Sequence, residues 1–473
     1  MRRFLLSKRW KKSKGSAELY DLRIRRQALL HRDPHYTYPV LVKGEGIYLY
    51  DEAGNRYIDG TAGAGNVTLG HGRHAIVEAM AAQGRELAYC FSTFFTNQPA
   101  LEYARRLAEL APGDLNHAYF VSGGSEGVET AIKLARLYHV QRGQAQKHQI
   151  IGRWRGYHGA TLGALAATGM PGLRAPFEPY LPAFPHIASC YPYRCTFAGC
   201  GERCNLTCAR QLEETIREVG ADNIAAFIAE PVVMAGIAAG VPPPDYYPLI
   251  RQICDEHDVL FIADEIITGF GRTGKLFAIE HWDVVPDMIV FGKGASSGYA
   301  PLGGVLLSQQ MRENLTRSGQ ALPHVFTYVN NPVSMRAGLA VLDLLKEEGI
   351  VEHAAQVGAY LQEKAQGLTR HACVGQVRGK GLMLGIELVQ DRRSRKPFPP
   401  EWGVSRRVPQ LTLERGLAIS GTSGGADWVE GDDLRFYPPL IITQEQLDAS
   451  LAIIDECLGL LEEELRQKGW VPT

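Results

Sequence analysis

The chain contains no uninterrupted apolar run approaching the roughly twenty residues that a helical membrane span requires. It also has almost no net charge: 50 Lys and Arg against 51 Asp and Glu leave −1, with no general nucleic-acid signature. That balance hides an asymmetry, because the first fourteen residues hold seven Lys/Arg and no acid, leaving −8 on the remainder. Phe4-Leu5-Leu6 is too short for the apolar core of a signal peptide, so export is not expected and a cytoplasmic location is. No internal repeat is present, which excludes solenoid and propeller architectures. No CxxC pair occurs among the nine cysteines, so the strongest sequence mark of a zinc or redox site is missing. The 473 residues, 45% hydrophobic and 21% charged, have the composition of a soluble globular protein large enough for more than one domain.

Against those absences stands one pair of residues. Asp264 closes the apolar run LFIAD, and Lys293, 29 residues later, follows the apolar run MIVFG. Both runs have the length and β-branched content of buried parallel strands. A lysine packed among Gly, Ala and Ser at a strand end is desolvated, which lowers its pKa and frees its amine for imine chemistry. A carboxylate at a neighbouring strand end can keep a pyridinium nitrogen protonated. Taken singly, each residue reads as a solvated lysine or a capping aspartate. Together, in glycine-rich frames, they match the electron-sink arrangement that pyridoxal phosphate requires.

The chain divides by pattern. Residues 1–16 read as a basic, disordered leader, 17–75 as the N-terminal part of a smaller domain, 76–330 as a large domain and 331–473 as the rest of the smaller one. GEGIYLYDEAGNRYIDG predicts two strands about a Gly54-Asn55 turn. From Ala118 to Ser308 the short apolar segments AYF, HQIIG, AAFIAEPV, LFIAD, MIVFG and GGVLLS alternate with helical stretches, the mark of an α/β layer fold with a mostly parallel sheet. Beyond Pro332, helices are expected over Ser334 to Glu348, Ala354 to Arg370 and Gln444 to Lys468, with strands in VGQVRGKGLMLGIELV. Lys396 to Gly403 and GTSGGADWVEGDD are expected as surface excursions.

VSGGSEGVETAIKLARLYH follows a short strand and opens a helix, with Val128, Ala131, Ile132 and Ala135 on one face. Gly124 and Ser125 at its start can cup a phosphomonoester, because a helix N-terminus offers free N–H donors and about half a positive charge. A glycine-tolerant helix start capped by Ser125 is the simpler alternative. The glycines here do not follow GxGxxG, which disfavours a dinucleotide. Tyr157 and His158 lie in a glycine-flanked turn where an aromatic could cover one face of a flat cofactor. Ile266 would cover the other face if the strand through Asp264 continues.

The motifs VSGGSE…ETAIKLAR, GYHGAT, IAEPV, ADEIITGFGRTG, FGKGASSGYAPLGG, VFTYVNNPVS and LRFYPPLIIT occur in the order and at the spacing of class III (ω-type) aminotransferases, which the chain resembles from about residue 35 onward. The resemblance implies fold type I of the pyridoxal-phosphate enzymes: a large α/β domain and a smaller α+β domain built from both chain ends. It implies that Lys293 carries the internal aldimine, Asp264 binds the pyridine nitrogen, Gly124 and Ser125 hold the phosphate, Tyr157 stacks on the ring beside His158, and Glu230 lies next to it. It further implies that Thr327 reaches the phosphate of a neighbouring subunit, hence a homodimer, or a tetramer of such dimers, with a shared active site.

Departures from the family pattern bear on substrate. Relatives that accept 2-oxoglutarate tend to carry an arginine after the YHG turn; this chain has Ala160. EPVVMAG and DEIITG put Met234, Ala235 and Ile267 where those relatives have other residues. A pocket without that arginine disfavours a second substrate carboxylate, since a buried unpaired carboxylate costs several kcal/mol. Arg435 matches the position that grips an α-carboxylate, and Phe94, Phe95, Gly63 to Gly65 and Trp428 are candidate pocket-lining residues. Transamination from an amine or ω-amino acid to a keto acid, pyruvate favoured, is the leading expectation. Racemisation, decarboxylating transamination or phospho-lyase elimination would use the same cofactor.

Five of the nine cysteines crowd residues 189–209: Cys190, Cys195, Cys200, Cys204 and Cys208. Cys195, Cys200, Cys204 and Cys208 could supply a Zn²⁺ or iron–sulfur site. Without a CxxC pair, reduced thiols on a surface excursion are the expectation, and no metal is expected. A non-catalytic scaffold built on this insert is the reading from a different functional class.

Overall fold

The computed structural model describes residues 29–198, 200 and 204–471, so the basic leader expected over 1–16 lies outside the described residues. The strands, in chain order, are β1 Leu41–Glu45, β2 Tyr48–Asp51, β3 Arg56–Asp59, β4 His117–Val121, β5 Gln149–Arg153, β6 His186–Ile187, β7 Ile224–Ala229, β8 Leu260–Asp264, β9 Met288–Phe291, β10 Gly303–Leu307, β11 Val374–Lys380, β12 Met383–Leu388, β13 Leu417–Ala418, β14 Ser420–Ser423 and β15 Asp432–Phe436.

Seven strands form the central sheet in the order β4-β10-β9-β8-β7-β5-β6. The neighbours from β9 to β6 run parallel, while β10 is antiparallel to both β9 and β4. Every residue of β7, β8, β9 and β10 is buried, which is why these strands read as continuous apolar runs rather than alternating ones. Asp264 pairs with Val290 in register, so the last residue of β8 lies beside the C-terminal end of β9, and Lys293 follows two residues after that end. Ligands of open α/β sheets gather at such strand ends.

The N-terminal hairpin closes as expected, with β2 antiparallel to β3, and β13 adds to β3 in parallel. One sheet thus joins the two ends of the chain. A second sheet, β11-β12-β15-β14, is antiparallel throughout. The architecture is the one that the resemblance implied, a large α/β layer with a smaller α+β part.

Caps explain where helices depart from the pattern. The helix expected from Ser334 begins at Pro332, because Pro suits a first turn and the Asn331 side chain accepts the Ser334 N–H at 3.0 Å. Ile350–Ala365 starts after left-handed Gly349, and its predicted continuation to Arg370 tightens into a 3-10 turn. Gln444–Gln467 is opened by a Thr443–Gln446 capping box. Lys396 to Gly403 is not wholly a surface excursion: Phe398 is buried, with its ring 5.6 Å from that of Trp470. Among the described residues no helix is long and apolar enough to cross a membrane.

Candidate functional site

Lys293 opens a single 3-10 turn after β9 and holds a left-handed φ of 41°. Such a backbone costs a non-glycine residue on the order of 1 kcal/mol and persists only where packing enforces it. Packing does so here: a Cβ on the next residue, Gly294, would stand 3.0 Å from the Phe270 Cβ and 3.2 Å from Thr68. Burial pushes the Lys293 amine down to about 8, partly opposed by the Asp264 carboxylate. No hydrogen bond or ion pair to another described side chain holds that amine.

The depressed value has a definite sign for stability. Below about pH 8 the cofactor-free lysine is charged whether folded or unfolded, and its burial cost stands in full; between about 8 and 10.5 only the unfolded chain keeps the proton, so stability rises with pH. Lys293→Met is therefore expected to stabilise cofactor-free protein by up to about 3 kcal/mol near neutral pH, an advantage that fades as pH climbs through that window. Urea denaturation of both proteins at several pH values checks this. A pH-independent difference would contradict it.

Asp264 ends β8 and is buried; its Oδ2 lies 2.7 Å from His158 Nδ1 and its Oδ1 accepts the Ile266 N–H at 3.1 Å. That second bond turns the chain. The strand does not continue to Ile266, as the sequence suggested, and Ile266 reaches the cavity through the turn instead. The backbone N–H of His158 donates to Thr168 Oγ1 at 2.9 Å, while its Nε2 is buried without a hydrogen bond, 4.0 Å from Glu230 Oε2. Glu230, just past β7, accepts the Tyr157 N–H at 3.0 Å through Oε1; its Oε2 is buried without a hydrogen bond, 3.6 Å from an Arg153 nitrogen.

Gly124–Gln141 begins at the cavity, and its N-cap is Gly123, with no side-chain cap. Ser125 is not the cap; its Oγ accepts the Ala160 N–H at 3.1 Å. Glycine is required at two places here. A Cβ on Gly124 would meet Ile266 at 2.7 Å, and one on Gly159, at φ 139°, would meet Ser125 Oγ at 2.5 Å. These residues enclose a cavity of about 160 Å³ lined by Gly124, Ser125, Tyr157, His158, Glu230, Asp264, Ile266 and Lys293, with Val232, Met234, Ile267 and Thr268 completing its wall.

The other candidates are not brought to that cavity within one chain. Ala160 is exposed beside it. Phe95 is 67% exposed, with Phe94 at 74% and Tyr328 at 62%. Thr327 is exposed, and its carbonyl accepts the Tyr89 hydroxyl at 2.9 Å. Arg435, on β15, donates to the Ala235 carbonyl at 2.6 Å, and its Nε is buried without a partner. Trp428 lies under the Arg155 guanidinium at 4.3 Å, away from the cavity. Arg153 was missed by the sequence reading. It ends β5 as Asp264 ends β8, and a charged residue closing the apolar run QIIGR was the available signal.

The cysteine insert also departs from expectation. Cys190 and Cys208 are buried rather than on a surface excursion, and the thiols that gather are Cys190, Cys204 and Cys208. Cys195 and Cys200, two of the four named as candidate ligands, lie outside that trio.

The profile of the family described as Aminotransferase class-III matches residues 30–458. Putrescine–pyruvate aminotransferase of Pseudomonas aeruginosa is 37% identical over 422 residues, covering 89% of this chain and 90% of that protein. Diaminobutyrate–2-oxoglutarate transaminase of Halomonas elongata is 35% identical, covering 91% and 92%. The crystal structure of an (S)-enantioselective omega-transaminase from Thermomicrobium roseum superposes with a TM-score of 0.86 at 39% identity, covering 93% of this chain and 98% of that one.

Proposed function

The chain belongs to the class III aminotransferases, enzymes that depend on pyridoxal 5'-phosphate, and on that premise we propose that it carries an amino group from an amine or ω-amino acid to a monocarboxylate keto acid, pyruvate foremost. The cavity fits the cofactor. Its uncapped helix start and the two glycine positions leave room for a phosphomonoester, and a desolvated lysine amine stands without a partner near a buried carboxylate. When bound, the cofactor supplies an aldehyde for amines and a ring that takes up negative charge from the reacting carbon.

Each side chain then has a role. Gly124 and Ser125 hold the phosphate with backbone N–H groups and the Ser125 hydroxyl. Asp264, oriented by His158 and the Ile266 N–H, keeps the ring nitrogen protonated. Tyr157 and Ile266 would pack against the cofactor ring, with Glu230 beside it. Lys293 would hold the cofactor through Nζ, and its amine would serve as the base that moves the substrate proton, a transfer worth roughly 10²–10⁴-fold. Thr327 of a second copy completes the phosphate site. Support for that dimer is the exposure of large apolar side chains, Tyr328 next to Thr327 and the pair Phe94 and Phe95, of the kind that mark an interface.

Acceptor choice rests on the wall. Val232, Met234 and Ile267 line the cavity, and no arginine is among its lining residues. Arg435, with its Nε free of any hydrogen bond, is the group left for one carboxylate. A methyl group suits the wall, whereas a second carboxylate arrives without a counter-charge. One relative is named for pyruvate and another for 2-oxoglutarate, so the comparison discriminates. With one good amine donor, kcat/KM is expected to favour pyruvate over 2-oxoglutarate by roughly tenfold or more, given several kcal/mol for an unpaired buried carboxylate. A preference for 2-oxoglutarate overturns this reading.

A further inference from the structure

Far from any role in transamination, the cysteine insert closes on itself. Cys190 stands three residues after β6, and Cys204 and Cys208 flank the start of the helix Thr207–Val219. Leu206 between them takes a left-handed φ of 60°, which folds the chain so that the two thiols meet. The three sulfurs of Cys190, Cys204 and Cys208 all lie within 4.8 Å of one another. A tetrahedral zinc with bonds of about 2.3 Å sets its sulfur ligands about 3.8 Å apart, so small side-chain adjustments suffice. All nine cysteines are free thiols in the structure.

Two further observations point to a ligand. Cys200 acts electrostatically on both Cys204 and Cys195, which brings a fourth sulfur near the trio. Behind the cluster, the fully buried Arg153 acts electrostatically on Cys190 and on Cys208, and its Nε is buried with no hydrogen-bond partner. Beyond Glu230 Oε2, 3.6 Å from its terminal nitrogen, neutral thiols add little for such a cation. A zinc ion held by four thiolates carries a net charge of about −2 and would complement it.

We propose that Cys190, Cys204 and Cys208, with Cys200 as fourth ligand, form a closed structural Zn²⁺ site. An all-sulfur set selects a soft or borderline metal over Mg²⁺ or Ca²⁺. Binding releases the thiol protons to solvent and needs no redox partner. Its consequence is local: the ion staples the base of the excursion that carries Tyr191 and Arg194, both of which bond Glu387 on β12. That staple links the central sheet to the antiparallel sheet that holds Arg435.

The test uses the full-length, cofactor-loaded protein, grown with added zinc and purified under reductant, with metals measured by mass spectrometry. About one zinc per chain is expected, retained in Cys195→Ser and lost in Cys204→Ser and Cys208→Ser. Less than roughly a tenth of a zinc per chain, or iron with acid-labile sulfide in its place, overturns the site. Should the serine variants fail to fold, Co²⁺ is added to chelator-stripped wild-type protein. Intense visible d–d bands with thiolate charge transfer support tetrahedral sulfur ligation, and their absence overturns it. Neither readout depends on the acceptor or on turnover.

Discussion

Lys293→Ala is expected to bring turnover to the detection limit while leaving the protein folded. On the proposed roles, the substitution removes two things together: the amine that would hold the cofactor, and the base that would move the substrate proton. The second alone is worth roughly 10²–10⁴-fold, so residual kcat should fall below about a thousandth of wild type. Folding should survive, because the amine makes no hydrogen bond to other described side chains and burial disfavours its charge, with its pKa down to about 8. The left-handed turn at φ 41° is followed by Gly294, which packs closely against Phe270 and Thr68, and the substitution leaves that packing in place. Circular dichroism and the oligomeric state serve as folding controls. Activity above a trace in a folded variant would remove Lys293 from its role.

What the sequence disclosed and what it hid follow from the same physics. Strands β7 to β10 were legible because burial on both faces forces an unbroken apolar run, and Asp264 and Lys293 stood out as charges at the ends of such runs. The start of the helix at Pro332 was less legible, since its Asn331 cap acts through a side-chain bond that periodicity does not register, whereas the start at Gln444 was read correctly. Ile266 reached the cavity by a route that alternation could not foresee, because the Asp264 carboxylate stops the strand by accepting the Ile266 N–H. The thiol trio joins Cys190 to Cys204 and Cys208 across a loop that folds back, so ranking cysteines by sequence spacing favoured Cys195 and Cys200 over Cys190. Thr327 and Phe95 point outward from one chain, and their purpose becomes visible only if a second copy covers them.

Asp264→Asn is the second large effect, and it separates charge from shape. The side chain is nearly isosteric, so Oδ1 can still accept the Ile266 N–H, now at 3.1 Å, and the turn after β8 should persist. The other position changes character. Where Asp264 Oδ2 meets His158 Nδ1 at 2.7 Å, an amide must either present NH₂ to a ring nitrogen that then accepts, or flip and lose the Ile266 bond. Either way, the negative charge that favours a protonated pyridine nitrogen is gone from a site in which Asp264 is 3% exposed and water cannot replace it. Removal of one preorganised electrostatic group from such an environment costs about 10²–10³-fold in kcat. Cofactor should still bind, since the phosphate cup at Gly124 and Ser125 and the lysine are untouched. The expected signature is therefore a protein that loads pyridoxal phosphate, shows an altered cofactor absorption band and pH profile, and turns over at least about a hundredfold more slowly. A merely structural aspartate would instead lower cofactor content or melting temperature and leave kcat per loaded site unchanged. Unchanged kinetics in a loaded variant would mean that another group holds the ring nitrogen, and His158, whose Nε2 is buried without a hydrogen bond, is the side chain that would then have to be examined.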